Sequence, residues 1–378
     1  MLAIAVVALT GFSGYAALLP VAPLWAVEGG ADSAGAGLVN FVLLGTTVAT
    51  QFAVPWAIGR VGWARVLSLG MVLLGVPSLL HLLSDTLLVT LLLSAARGVG
   101  FGILTVAANA AAVLLVTPER RGAAVGAYSA ALSVPNVVFM PLGAWVAQAW
   151  GFVPAFAAGA IPLLGIPACI VVARHLPDRS TRQPGGPSDE TAMGAGTAAA
   201  MLRPTLILLA VTLAGGAVIT FTPQLVALPW LSAAGLMAMG LVSAIARWRI
   251  GGLTDRIGVD RLVAPFVVLT VLVLAAFAWV VREPVTSGQA TVWILTCALL
   301  GLCYGGLQNL TMLQAFAAAG PRRVGAASAV WNAGFDAGTA CGALLVGTVA
   351  VGAGFGVGMA VTAGLCLLTV PLALVRRR

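Results

Sequence analysis

The sequence predicts an all-α integral membrane protein, with twelve transmembrane helices in two pseudo-symmetric six-helix bundles. Three observations carry this. Of the 378 residues 61% are hydrophobic and only 8% are charged, against about 25% charged in a soluble domain. All 19 basic residues are arginine, and nearly all lie at the ends of apolar runs. The two halves of the chain also resemble each other. No soluble core absorbs so much apolar side chain, and repeated runs of 18 or more apolar residues read as membrane-spanning helices. Barrel strands alternate polar and apolar residues, and these runs do not.

Twelve helices fit the runs at roughly 2–26, 35–58, 64–83, 86–116, 122–149, 152–173, 203–227, 230–250, 261–281, 288–318, 324–350 and 353–375. The first begins at Met1 without a basic leader or a cleavage site, so it reads as a helix rather than a signal. Connections are short except for residues 174–202, which are polar, Gly/Pro-rich and aperiodic. That is a linker, and it divides the chain into bundles 1–173 and 203–378.

The arginines set the orientation. Those between helices 2 and 3, 4 and 5, 8 and 9, and 10 and 11, those around the linker, and Arg376 to Arg378 all fall on one side if the count is twelve. The other side holds Arg282 beside acidic Glu28, Asp32, Asp85 and Glu283. The arginine-rich side is therefore expected to be cytosolic, with both termini inside the cytoplasmic membrane. The net charge of +8 is this topological signal and not a nucleic-acid surface. Trp25, Trp150 and Trp293 at one side, and Trp56, Trp63 and Trp248 at the other, are expected to form interfacial belts.

The repeat is direct. "RRGAAVGAYSAALSVPN" (120–136) resembles "RVGAASAVWNAGFDAGT" (323–339), with Gly122 on Gly325 and Gly151-Phe152 on Gly354-Phe355 at a shift of 203 residues. Parallel six-helix repeats enclose substrate sites near the bilayer midplane. Cys169, Cys297, Cys303, Cys341 and Cys366 lie in apolar runs without a CxxC spacing and read as small core residues. Two separated histidines make no metal site, no phosphate-binding loop is present, and no mid-membrane catalytic cluster stands out. No cofactor, metal or enzymatic activity is expected.

Several segments resemble the major facilitator superfamily along the whole chain. "GGLTDRIG" (251–258) resembles its signature loop through Gly251, Asp255, Arg256 and Gly258. The expectation is a tight turn after helix 8 whose carboxylate approaches the positive N-terminus of a neighbouring helix. "PWAIGRVG" after helix 2 keeps Arg60 and Gly62 but has Pro55 and Gly59 where the family has Gly and Asp. One carboxylate latch is thus missing. "LLLSAARGVGFG" is similar to the family's helix-4 motif, with Arg97 as its arginine, and "PERRG" (118–122) and "FDAG" (335–338) resemble sugar- and drug-efflux branches. The resemblance implies that helices 1, 4, 7 and 10 line a cavity and that 2, 5, 8 and 11 flank it.

Asp336 stands thirteen residues beyond Arg323, about 20 Å into the span. A charge there costs at least about 2.5–3.5 kcal/mol, so a lipid-facing position is not expected. Ser328, Asn332, Asp336 and Thr339 share one face, and Gly334, Gly338 and Gly342 form a small-residue stripe nearly opposite, suited to close helix packing. The repeat places Ser129, Ser133 and Asn136 on the equivalent face of helix 5. Arg97 is the second charge deep in a span. It could pair with Asp336, capture an anionic group or satisfy helix carbonyls. Gln224, Tyr304, Gln308 and Thr311 are further polar positions, and Gly98/Gly102 and Gly301/Gly305 mark close helix contacts.

The expected function is secondary transport of a small organic solute by alternating access, as a monomer in the bilayer. The resemblance to efflux branches implies export against protons. Asp336 and Arg97 are the coupling candidates; Asn332, Thr339, Ser129, Ser133, Asn136, Gln224, Tyr304 and Gln308 are the candidate solute contacts. An uptake carrier for a small organic anion, or a non-transporting sensor on the same fold, are the alternatives.

Overall fold

The structure is a computed structural model that describes residues 2–115, 121–176, 195–320 and 323–375, with the backbone alone at 113, 121–132 and 195–198. Its regular elements are helical: α1 (Leu2–Leu18), α2 (Val21–Glu28), α3 (Ser33–Val61), α4 (Trp63–Leu80), α5 (Leu87–Leu114), α6 (Arg121–Trp150), α7 (Phe152–Gly159), α8 (Ile166–Arg174), α9 (Ala195–Leu225), α10 (Pro229–Ile257), α11 (Val259–Val280), α12 (Ala290–Ala319), α13 (Val324–Ala353), α14 (Phe355–Leu367) and α15 (Val370–Leu374). Among the described residues, 11 stretches are long and apolar enough to cross a membrane. The 30-residue α6 is the further long helix of the twelve-helix pattern.

Three spans are interrupted, each at proline. The first breaks before Pro20 at the α1–α2 junction, and Asn40 Nδ2 donates to the Leu19 carbonyl there at 2.9 Å. The helical partner of the Leu19 carbonyl would be the N–H of residue 23, which is Pro23 and has none, so the Asn40 amide takes that carbonyl over. The second passes through a 3₁₀ turn at Ile161–Gly165, carrying Pro162, between α7 and α8. The third breaks at Thr369, ahead of Pro371, where the Thr369 hydroxyl donates to the Cys366 carbonyl at 2.7 Å.

The chain divides into two compact units, Met1–Gln183 and Pro184–Arg378. In the first, α3 and α4 pack on α5, and α1 packs on α6. In the second, α10 packs on α12, α9 on α13, and α11 on α14. The same seam recurs in each. A Cβ on Gly98 would collide with the Leu43 carbonyl of α3, and one on Gly102 with that of Thr47. A Cβ on Gly301 would collide with the Met239 carbonyl of α10, and one on Gly305 with that of Ser243. These glycines let backbones touch, and tight packing holds helices together where no hydrophobic drive exists between them. The turns repeat too: Gly62 and Gly258, at φ 91° and 89°, end α3 and α10, and Gly151 and Gly354, at 88° and 84°, separate α6 from α7 and α13 from α14.

Four expectations are corrected. Residues 251–257 do not form a loop: α10 continues through Gly251, Asp255 and Arg256 to Ile257, and α3 runs to Val61. A glycine inside a helix costs about 1 kcal/mol but does not stop it; the positive φ at Gly258 does. The expected linker loses its last residues to α9, which starts at Ala195 because "AGTAAAML" is rich in the strongest helix former. Trp293 is fully buried, its indole N–H donating to the Leu231 carbonyl at 3.2 Å, so its ring is turned into the protein and not to the surrounding bilayer, whereas Trp56, Trp150 and Trp248 are exposed. Cys341 is exposed, unlike the other four cysteines, which are buried.

Candidate proton-coupling and solute-contact residues

The second unit brings an acid and a guanidinium each within electrostatic range of one phenol. Asp336 is 6% exposed and Tyr304 8% exposed, although one is a carboxyl in the middle of α13 and the other lies on α12. The Tyr304 ring sits 6.0 Å from that of Phe335. Its hydroxyl is within bonding reach of the Thr339 hydroxyl and within electrostatic range of both Asp336 and Arg247. Glycines in α9 make room for this. A Cβ on Gly215 would strike the Tyr304 ring, and one on Gly216 would strike the Thr339 backbone. Across the same seam, a Cβ on Gly338 would strike Thr212, and one on Gly342 the Leu213 carbonyl. The glycine stripe of α13 therefore packs on α9, as its spacing predicts.

The polar side chains around Tyr304 differ in burial and bonding. Thr339 donates to the Phe335 carbonyl at 2.9 Å. Trp331 stacks on Phe335 at 5.7 Å and donates from Nε1 to the Thr311 hydroxyl at 3.1 Å, a packing role as its position suggests. Gln308 is 2% exposed one turn from Tyr304. Asn332 is exposed one turn from Asp336, with Nδ2 donating to the Ser328 carbonyl at 2.8 Å. Gln224 stands nine residues beyond Gly215, about 13 Å further along α9, and is not part of this cluster. Its Nε2 is buried without a partner.

Arg247 is the residue that reading the sequence missed. With a helix ending at 250 it looks like another terminal arginine. The observed end at Ile257 puts it eleven residues before the Gly258 turn, about 16 Å from the end of the helix. The signal available in "ARWRIGGLTDRIG" is that no proline separates Arg247 from Gly258, so the helix can run on through the glycine pair.

Arg97 belongs to the first unit. It is fully buried, and its Nη2 donates to the Gly14 carbonyl of α1 at 3.3 Å, while Nε and Nη1 have no partner. Tyr15 and His81 lie within its electrostatic range. Tyr15 stacks on Phe101 at 3.6 Å, one turn from Arg97. His81 is buried, bonded through Nδ1 to the Pro77 carbonyl at 2.7 Å. A carbonyl only accepts, so Nδ1 carries the proton and Nε2 is a lone pair. The carbonyl-satisfying role expected of Arg97 is thus present, through one of its three nitrogens. Ser133 and Asn136 are half-buried on α6, and the Ser129 side chain lies outside the described residues.

At the arginine-rich ends, Arg60 lies 5.9 Å over the Trp56 ring and Arg249 5.0 Å over the Trp248 ring. Asp255 and Arg256 are exposed on the last turn of α10. Within the second unit the carboxylate that ties helices together here is Asp260 on α11. It accepts from Gln314 Nε2 of α12 at 2.6 Å and pairs with Arg203 of α9 at 3.5 Å. No group of metal-ligating side chains occurs among the described residues.

Comparison with known proteins gives this geometry its context. The sequence profile of the Major Facilitator Superfamily matches residues 3–330. No curated protein matches by sequence. A bacterial homolog of the human lysosomal transporter Spinster, in an inward-facing and unoccupied conformation, superposes with a TM-score of 0.78 at 15% identity, over 99% of this chain and 95% of its own. The same homolog in its inward-facing, occupied conformation gives 0.73 at 15% identity, over 98% and 95%. The nucleoside transporter NupG gives 0.68 at 13% identity, over 99% and 98%. At these identities the likeness is one of fold. The profile match spans most of the sequence, and the chain is accordingly a member of the Major Facilitator Superfamily, a multi-pass membrane transporter and not an enzyme.

Proposed function

We propose that this transporter exports a small organic solute across the cytoplasmic membrane in exchange for protons, with Asp336 as the group that carries the proton. One observation supports this above the others: a buried carboxyl within range of the Tyr304 hydroxyl, which is itself within range of Arg247. A carboxyl in apolar surroundings switches between neutral and charged forms with large energetic consequence. When Asp336 is charged, Arg247 attracts it across Tyr304. When it is protonated, that attraction vanishes. Thr339, Gln308 and Tyr304 are the buried candidate solute contacts, Asn332 is an exposed one a turn from Asp336, and Gln224 lies further off.

The halves 1–173 and 203–378 act as the two rocking bodies of a monomer, with the arginine-rich ends in the cytosol. The signature residues Gly251, Asp255, Arg256 and Gly258, with Arg60 and Gly62, form the cytosolic gate. As α10 is helical to Ile257, the gate closes by the movement of helix ends and not of a loop.

The test is reconstitution with a pH-sensitive dye inside the vesicles, screening sugars, drugs and carboxylates against wild type and Asp336→Asn. Solute-driven proton movement should fall at least about tenfold in Asp336→Asn, the scale of losing one coupling step worth ~1.4 kcal/mol or more, while the variant still binds solute. Unchanged proton movement would remove Asp336 from the role. The unpartnered Nε and Nη1 of Arg97 favour one second reading, uptake of a small organic anion captured there. Protons then move with the solute and not against it, and the sign of the dye response separates the two. A sensor would bind solute and show no flux.

A further inference from the structure

The outer surface of the second unit carries two grooves between the same pair of spans. One, of about 580 Å³, lies between α11 and the α15 end of the last span. It opens at Asp260 and Arg261, beside Ala373 and Leu374 of α15, and runs along exposed Pro265 and Val268 to Leu272. The other, of about 390 Å³, lies at the opposite end of α11 and is bordered by Trp279 and Arg282. Each is a charged mouth over an apolar trough. From Arg261 to Leu272 the trough extends eleven residues, about 16 Å along the helix axis, which is the depth of one leaflet of a ~30 Å hydrocarbon core.

The charges at the two mouths differ. At the first, the carboxylate of Asp260 is engaged by Gln314 and Arg203. Arg261 is exposed and makes no hydrogen bond or ion pair among the described residues. In sequence, Arg376, Arg377 and Arg378 follow directly after Leu374 and Val375. At the second mouth Arg282 is followed by exposed Glu283, which offsets it. A basic residue at headgroup depth above an apolar trough is the chemistry that recognises an anionic phospholipid. The neutralised mouth offers no such preference.

From this contrast we infer that the α11–α15 groove is a binding site for one anionic phospholipid, its phosphate on Arg261 and an acyl chain along Pro265, Val268 and Leu272. The Arg282 groove takes lipid without regard to headgroup charge. This inference does not depend on the direction or coupling of transport.

The experiment titrates the purified full-length protein in detergent with dioleoyl phosphatidylglycerol, dioleoyl phosphatidylcholine or inorganic phosphate. Bound lipid is counted by native mass spectrometry and the melting temperature is followed by tryptophan fluorescence. Wild type should retain phosphatidylglycerol in preference to phosphatidylcholine and melt higher with it. Inorganic phosphate alone should do neither, because the trough is then empty. Arg261→Gln should bind phosphatidylglycerol about fivefold more weakly, the effect of one basic residue at a membrane surface, and Arg282→Gln should not. Val268→Trp, which fills the trough and keeps the arginine, should also weaken retention. Equal retention of the two lipids by wild type, an undiminished preference in Arg261→Gln, or an equal loss in Arg282→Gln would each overturn the assignment.

Discussion

Arg97 and Asp336 are both buried far from a helix end, and their surroundings differ. Arg97 has one carbonyl, a tyrosine and a histidine around it in its own unit, with two nitrogens, Nε and Nη1, left without a partner. Asp336 has the Tyr304 hydroxyl within electrostatic range, and that hydroxyl in turn has Thr339 and Arg247 around it. A buried charge that gains little from its neighbours costs more in desolvation than it returns. Arg97→Met is therefore expected to keep or raise the melting temperature while transport falls, measured on one preparation by thermal unfolding and solute flux. A drop of several degrees would instead make Arg97 a structural residue. Tyr304→Phe keeps the ring against Gly215 and removes only the hydroxyl. Proton flux should slow about three- to tenfold, the worth of a net hydrogen bond near 1 kcal/mol, with the fold intact. Stopped-flow dye measurements that match wild type would leave Tyr304 as packing.

At the scale of the element, the end of α10 can be tested directly. Gly251 is helical, and a Cβ there meets nothing closer than Asn309 Nδ2 at 4.0 Å. Gly251→Ala should be neutral or stabilise by up to about 1 kcal/mol, since alanine gives up less freedom in a helix. Gly258, at φ 89° and ψ 143°, adopts a backbone that other residues avoid. Gly258→Ala should cost about 1–3 kcal/mol. Thermal unfolding of the pair gives opposite signs if the signature segment is a helix with a glycine stop, and the same destabilising sign if it is a loop. Gly305→Val should weaken the α10–α12 seam by about 1–3 kcal/mol, because its side chain has to displace the Ser243 carbonyl.

For the whole molecule the repeat gives the division of labour. The seam glycines Gly98 and Gly102 match Gly301 and Gly305 at the shift of 203 residues found between "RRGAAVG" and its counterpart. Under that correspondence Tyr304 matches Phe101 and Asp336 matches Ser133, while Gly62 on Gly258 places Arg247 opposite Gln51. Every charged or ionisable member of the Asp336, Tyr304 and Arg247 group is thus replaced by a neutral one in the first unit, where Arg97 takes the place of an aliphatic residue. An even number of crossings should leave Met1 and Arg378 on one side. Single cysteines added at each end of a cysteine-free background, probed with a membrane-impermeant maleimide in sealed right-side-out vesicles, should both stay unlabelled until the vesicles are broken.

Sequence alone determined the class, the span pattern, the paired glycine seams and the position of Asp336, because apolar length, arginine asymmetry and helical spacing are local properties written along the chain. It could not determine how far α10 continues, since two glycines lower helix propensity without revealing φ. Everything that followed from that end was hidden with it: the depth of Arg247, the exposure of Asp255, and the choice of Asp260 as the carboxylate that ties α9, α11 and α12 together. The partners of Arg97 and Asp336 were hidden for a related reason. A buried charge is satisfied by groups on other helices, and which groups those are depends on where Gly14, Gly215 and Gly216 allow neighbouring backbones and rings to approach.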